Sequence, residues 1–160
     1  FTASNSGEIF LEAGAFSSRQ TGTYQIDVLQ SGISTSSLGD LIGQTQEHAP
    51  ITALNTIFGG AIDFQNDRDM YQFILEAGTT YQFEVRGSNS SHGTLWDPQA
   101  FLYNADGALV AQDDDSGTAF DASIAYTAPT NGSYYLDVIS NIGLLAQSVG
   151  TYSVETDILL

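Results

Sequence analysis

The sequence predicts an all-β chain: an antiparallel β-sandwich of jelly-roll type with about eight strands, preceded by an N-terminal hairpin. Three observations predict it. Apolar and polar residues alternate with period two from residue 56 onward, clusters of Gly, Pro, Asn and Asp separate the alternating runs, and no stretch of helical periodicity is long enough to compete. Strands of that length expose one apolar face each, so neither sheet is stable until it packs on the other.

The elements follow in order. A first strand is expected at 57–63. In the next two, Tyr71, Phe73 and Leu75, then Tyr81, Phe83 and Val85, occupy one face, while Gln72, Gln82, Glu84 and Arg86 occupy the other. Glu76-Ala77-Gly78-Thr79 joins that pair. Further strands are expected at about 99–104, 108–112, 123–127, 133–139 and 150–156, with turns at Asn104-Ala105-Asp106-Gly107 and Pro129-Thr130-Asn131-Gly132. Tyr103, Tyr126, Tyr134, Tyr135 and Tyr152 fall inside these strands.

Upstream, Gly7-Glu8-Ile9-Phe10-Leu11-Glu12 and Gly22-Thr23-Tyr24-Gln25-Ile26-Asp27-Val28 mirror Gly132-Ser133-Tyr134-Tyr135-Leu136-Asp137 and Gly150-Thr151-Tyr152-Ser153-Val154-Glu155. This internal repeat predicts that residues 1–28 are the terminal hairpin of a preceding repeat. Residues 29–55 are then a linker, with a Ser, Gly, Thr and Gln-rich stretch over 29–50, and 56–160 the sandwich domain. An isolated hairpin is marginal in water and is expected to pack on this domain or on a neighbour. The chain opens on Phe1 without Met, which suits an excised or processed part of a longer protein.

Composition bounds function. The 160 residues are 42% hydrophobic and 11% aromatic, enough for one full core. Nineteen acids against Arg19, Arg68 and Arg86, with no Lys, leave a net charge of −16, which turns away nucleic acid and anionic membrane and attracts cations. The absence of Cys removes disulfides and thiolate metal sites, so hard oxygen ligands remain. No apolar run approaches the roughly 20 residues of a membrane-spanning helix. The Lys-free, acidic, Gly/Ser/Thr/Asp-rich composition suits a secreted bacterial protein that meets millimolar calcium.

Antiparallel alternation places segments 64–69, 86–98, 113–122 and 140–149 at one end of the sandwich and the turns 76–79, 105–107 and 128–132 at the other. Asp63, Asp67, Asp69, Asp97, Asp113, Asp114, Asp115 and Asp121 therefore collect at the first end. Ca²⁺ takes six to eight oxygens from carboxylates, carbonyls and water, and closely spaced Asp on loops provides them. Asp97 precedes one strand of the 99–112 hairpin and Asp113, Asp114 and Asp115 follow the other, which makes these four the first-choice calcium ligands; Asp67, Asp69 and Asp121 come second. Without a cation, like charges within a Debye length of roughly 8–10 Å repel and raise carboxyl pKa values. The competing view is that each Asp is a solvated turn former.

Two apparent catalytic motifs weigh little. Asp115-Ser116-Gly117 shares the core tripeptide of aspartic proteases, but Asp113 and Asp114 replace the apolar residues that precede such a catalytic Asp, and no second tripeptide supplies the partner carboxylate. His92 lies near Ser88, Ser90, Ser91 and Asp97 without a strained nucleophile turn. Trp96, the only Trp, stands before Asp97-Pro98. It is a candidate stacking residue for a sugar or peptide, although packing beneath the loop, with Phe120 as a partner, is the more ordinary fate of a Trp.

The segments NDRDMYQFILEAGTTYQFEVRG, GTLWDPQAFLYNADGALVAQDDDSG and IAYTAPTNGSYYLDV, with GTYSVE after them, resemble the bacterial pre-peptidase C-terminal domain over roughly residues 56–157. The resemblance implies a jelly-roll-like, usually non-catalytic module of secreted peptidases and exoproteins, often linked to calcium and sometimes to substrate binding. In the related collagen-binding domains of clostridial collagenases, calcium sits between an acidic Asp-x-Asp segment, matched here by Asp67 and Asp69, and the preceding linker. The linker here, with Asp40, Glu47 and Asn55, lacks their acidic cluster, and collagen binding does not carry over.

The expected function is a non-catalytic, calcium-binding accessory module of a secreted bacterial multidomain protein. Its expected partners are calcium, a polysaccharide or protein polymer or peptide, and a neighbouring repeat or attached peptidase domain. The alternatives are a structural spacer of a tandem array and a carboxylate-based hydrolase.

Overall fold

A computed structural model describes residues 44–141 and 149–159. The chain divides into two compact units, Phe1–Ser37 and Leu38–Leu160, and the expected hairpin at 1–28 lies outside the described residues. Eight strands make up the second unit: β1 Thr56–Ile62, β2 Arg68–Leu75, β3 Thr80–Arg86, β4 Pro98–Asn104, β5 Leu109–Asp113, β6 Ala122–Thr127, β7 Gly132–Ser140 and β8 Gly150–Leu159. Each coincides with a period-two run, because alternation is what lets a strand bury one face and wet the other.

The strands form two four-stranded sheets, ordered β1-β8-β3-β6 and β2-β7-β4-β5, with every neighbouring pair antiparallel. The pairs β1–β8, β2–β7, β3–β6 and β4–β5 nest as one long hairpin rolled upon itself, and this is the jelly-roll order. Register puts Tyr71, Phe73, Leu75, Ala100, Leu102, Tyr134, Leu136 and Val138 of one sheet against Ile62, Tyr81, Phe83, Val85, Ala122, Ile124, Tyr152 and Val154 of the other, all buried. Phe73 and Phe83 meet edge to face across the sandwich with centroids 5.2 Å apart.

Two acids are buried within the strands: Asp69, expected in the 64–69 connection but found in β2, and Asp137 in β7. Asp69, fully buried in β2, accepts the hydroxyl of Tyr152, which lies 2.7 Å from the hydroxyl of Tyr71. Burial, Tyr71 and Asp69 together push the Tyr152 hydroxyl far above its usual range, so it stays a donor. Gly60 leaves room for this network, since a Cβ there would overlap both tyrosine hydroxyls. On the outer face of β7, Asp137 is fully buried and paired with Arg68 through two bonds, Nε to Oδ1 at 3.1 Å and the other nitrogen to Oδ2. Burial pushes the Asp137 carboxyl up and the Arg68 charge pulls it back only in part.

Residues 44–55, expected as the end of a linker, lie against the sandwich. Ile51 makes a parallel bridge to Gln72, with Gln72 N–H donating to the Pro50 carbonyl at 2.9 Å and Thr52 N–H to the Gln72 carbonyl at 2.8 Å. That segment covers the open edge of β2 at Gln72, where a free strand edge would be available for association.

Phe83→Ala removes a fully buried ring from the centre of the core and is expected to cost about 3–5 kcal/mol, read by urea unfolding. Gly60→Ala is expected to cost about 1–3 kcal/mol by overpacking the Tyr71–Tyr152 pair.

Candidate metal centre

The loops that antiparallel alternation assigns to one end are tied together there by backbone bonds. Thr94 and Leu95 N–H both donate to the Thr151 carbonyl at 2.8 Å, and Asn141 N–H donates to the Asp97 carbonyl at 2.9 Å. The close approach depends on Gly93 and Gly150, where a Cβ would run into the Thr151 carbonyl and the Thr94–Leu95 backbone respectively. At the opposite end Gly78 N–H and Ala128 N–H bond the Ala128 and Thr79 carbonyls at 2.8 and 3.0 Å, closing it tightly.

Within the first end the seven candidate aspartates separate by role. Asp97, Asp114 and Asp115 converge: one carboxylate oxygen from each lies within 4.8 Å of the others. Asp97 Oδ1 and Asp114 Oδ1 are buried without a hydrogen-bond partner. Asp114 Oδ2 accepts from the Asn141 amide at 2.8 Å, while Asp115 is exposed. Asn141 thus binds Asp97 through its backbone and Asp114 through its side chain. Sequence reasoning missed it, and the only signal was its position at the start of the long connection after β7.

The other four do local work. Asp113 accepts N–H bonds from Ser116 at 3.1 Å and Ser123 at 2.7 Å, shaping the turn and joining the end of β5 to β6 across the two sheets. Buried Asp67 accepts the N–H groups of Asp63 at 2.6 Å and Arg68 at 2.9 Å and the Gln44 amide at 3.2 Å. Asp69 lies in the core with Tyr152. Asp121, buried, accepts Gly87 N–H at 2.9 Å through Oδ1, while its Oδ2 is buried without a hydrogen-bond partner and lies outside the converging trio.

The electrostatics of the converging trio are unfavourable as they stand. Asp97 is pushed up to about 6, first by burial and then by the charges of Asp114 and Asp115. Asp114 is raised by burial and by Asp115, against the lowering effect of the Asn141 amide. Two oxygens bound to one Ca²⁺ can be at most about 5 Å apart, given bonds of about 2.3–2.6 Å. The trio fits that sphere, and its all-oxygen donor set suits a hard cation.

Residues of the apparent catalytic motifs are hydrogen-bonded within their own loops and to β6. His92 Nδ1 donates to the Ser90 carbonyl at 2.8 Å and its backbone N–H to the Gly87 carbonyl at 3.0 Å. Ser116 Oγ donates to the Ser123 carbonyl at 3.1 Å, and Gly117 N–H to the Asp121 carbonyl at 2.9 Å. Trp96 departs from the expectation of burial beneath its loop. It is 50% exposed and lies against Phe120, with centroids 5.9 Å apart.

The bacterial pre-peptidase C-terminal domain profile matches residues 67–140. Among solved structures, the pre-peptidase C-terminal domain of a Bacillus anthracis collagenase is similar at 20% identity and a TM-score of 0.50, over 68% of this chain and 94% of that one. The g-type lysozyme inhibitor PliG of Aeromonas hydrophila aligns at 16% identity and a TM-score of 0.45, over 68% and 95% of the two chains. PliG of Salmonella Typhimurium aligns at 17% and 0.47, over 69% and 97%. No curated protein matches the sequence.

The raised Asp97 carboxyl sets a pH dependence with a definite sign. Between about 4 and 6 the folded state holds a proton that the unfolded state has released, so stability falls as pH rises through that window. In chelator, Asp97→Asn is expected to melt above the wild type at pH 7, and the gap is expected to shrink on acidification to pH 5. A gap that stays constant across melting curves in that range would remove Asp97 from the strained cluster.

Proposed function

We propose that the chain, which matches the bacterial pre-peptidase C-terminal domain over residues 67–140, is a non-catalytic accessory module of a secreted bacterial multidomain protein, with calcium bound at the acidic end of its sandwich. The observation that carries the calcium assignment is the convergence of Asp97, Asp114 and Asp115, two of them with a buried oxygen that has no hydrogen-bond partner. Burying acceptors without donors costs free energy, and a divalent cation turns the same arrangement from repulsive to attractive. Asn141 holds Asp114 in place through its side-chain amide, and backbone carbonyls and water would supply the remaining oxygens of a calcium site.

The reading narrows the ligand set. Asp113 and Asp67 already accept two or three N–H bonds each, so their contribution is to shape the loops. Asp69 and Asp121 are committed to the core and to Gly87. The accessory role is supported by the engagement of His92, Ser116 and Gly117 in loop structure. Calcium would lock the 87–97 and 114–121 loops to one another, and the exposed surface beside it is where an extracellular polymer or peptide would bind.

Thermal unfolding in chelator and in millimolar calcium tests this. Calcium at a hundred times its dissociation constant is expected to add about 2.7 kcal/mol. The Asp114→Asn/Asp115→Asn double variant is expected to lose most of that gain. An unchanged melting temperature in the wild type overturns the assignment and leaves a spacer whose acids serve solubility.

A further inference from the structure

The two loops that bring Asp97 to Asp114 and Asp115 also present two aromatic rings to solvent. Trp96 is 50% and Phe120 39% exposed, and they contact each other at 37° between planes. Single exposed aromatics are ordinary, but a contacting pair beside three carboxylates is an amphipathic patch. Its frame is ordered. The Asn89 amide donates to the Trp96 carbonyl at 2.6 Å, and Phe120 sits within the turn closed by Gly117 N–H to the Asp121 carbonyl and Asp121 N–H to the Thr118 carbonyl at 2.9 and 3.1 Å.

Backbone strain gathers at the same place. Among the described residues, four that are not glycine take positive φ: Asn55, Asn66, Ser91 at 64° and Ala119 at 59°. Asn adopts this region readily; Ser and Ala do so less. Those two lie in the loops that carry Trp96 and Phe120, and strain of this kind persists where a particular presentation of side chains is maintained.

Charge decides which partner fits. The chain carries −16, and Arg68 and Arg86 are taken up by Asp137, Glu84 and Glu155. A second copy would bring the same sign to the contact, and a neutral sugar gains nothing from the field. A cationic side chain gains from the face of Trp96 and from charge-assisted bonds to the exposed Asp115.

We propose that Trp96 and Phe120, with Asp97, Asp114 and Asp115 beside them, form a docking surface for a basic peptide segment, an Arg or Lys side chain stacking on Trp96 while a neighbouring apolar residue covers Phe120. This names a partner class for the accessory module and does not require calcium; since Asp115 also belongs to the proposed calcium set, calcium and the basic side chain compete for it.

Because Trp96 is the only Trp, its emission reports on this surface alone. In chelator at low ionic strength, an alternating arginine–glycine octapeptide is expected to change that emission saturably, while a glutamate–glycine octapeptide and a neutral chito-oligosaccharide are not. With a dye-labelled arginine peptide followed by anisotropy, Trp96→Ala, Phe120→Ala and Asp115→Asn are each expected to weaken binding by about five- to tenfold, with melting curves confirming that each variant folds. No saturable change with the arginine peptide overturns the proposal, as does an equal response to the oligosaccharide or undiminished affinity in Trp96→Ala. Peptide binding retained in a protein that calcium fails to stabilise would sink the metal assignment and leave this surface standing.

Discussion

Everything in this molecule depends on antiparallel pairing between strands that mirror one another in the chain, first with last and fourth with fifth. That nesting packs the apolar faces of the two sheets against each other. It also sends successive connections to opposite ends. A sandwich built this way has two different ends by construction, and chemistry accumulates where the connections are long. Here the 87–97 and 114–121 loops are long, while the 76–79 turn is short and tied directly to Ala128.

The acidic end shows how one residue type is put to several uses by surroundings alone. Asp113 and Asp67 satisfy backbone N–H groups, Asp69 anchors a buried tyrosine, and Asp121 holds the start of the loop after β3. Each of these carboxylates has donors pointing at it. Asp97 and Asp114 each keep a buried oxygen without one, as Asp121 does at Oδ2, but only these two converge with a third carboxylate, and their pKa values rise. The proposed metal centre is thus distinguished by the convergence of three carboxylates, two of them with a buried oxygen that has no hydrogen-bond partner.

The same loops place Trp96 and Phe120 beside that cluster, so the charge, the strained turns and the exposed rings belong to one structural unit. Asn141 couples it to the end of β7 through Asp97 and Asp114. The two proposals share Asp115, for which a cation and a basic side chain compete, and neither requires the other.

Much of the architecture was determined by the sequence itself, because the features that specify it are local. Period-two alternation marks Tyr71-Phe73-Leu75 and Tyr81-Phe83-Val85 as inward faces, and Gly, Pro, Asn and Asp clusters mark the turns between them. Strand direction then follows by counting, which is why the crowding of aspartates at one end was legible. What local pattern could not reveal was which carboxylates meet. Asp113, Asp114 and Asp115 are adjacent in sequence, yet Asp113 turns to Ser116 and Ser123 while its two neighbours face Asp97. Nor did it reveal that Asp69 and Asp137 are buried, that Asn141 bridges two of the acids, or that Trp96 is exposed. Those outcomes depend on loop conformations and on contacts between residues tens of positions apart, and only the closed sandwich decides them.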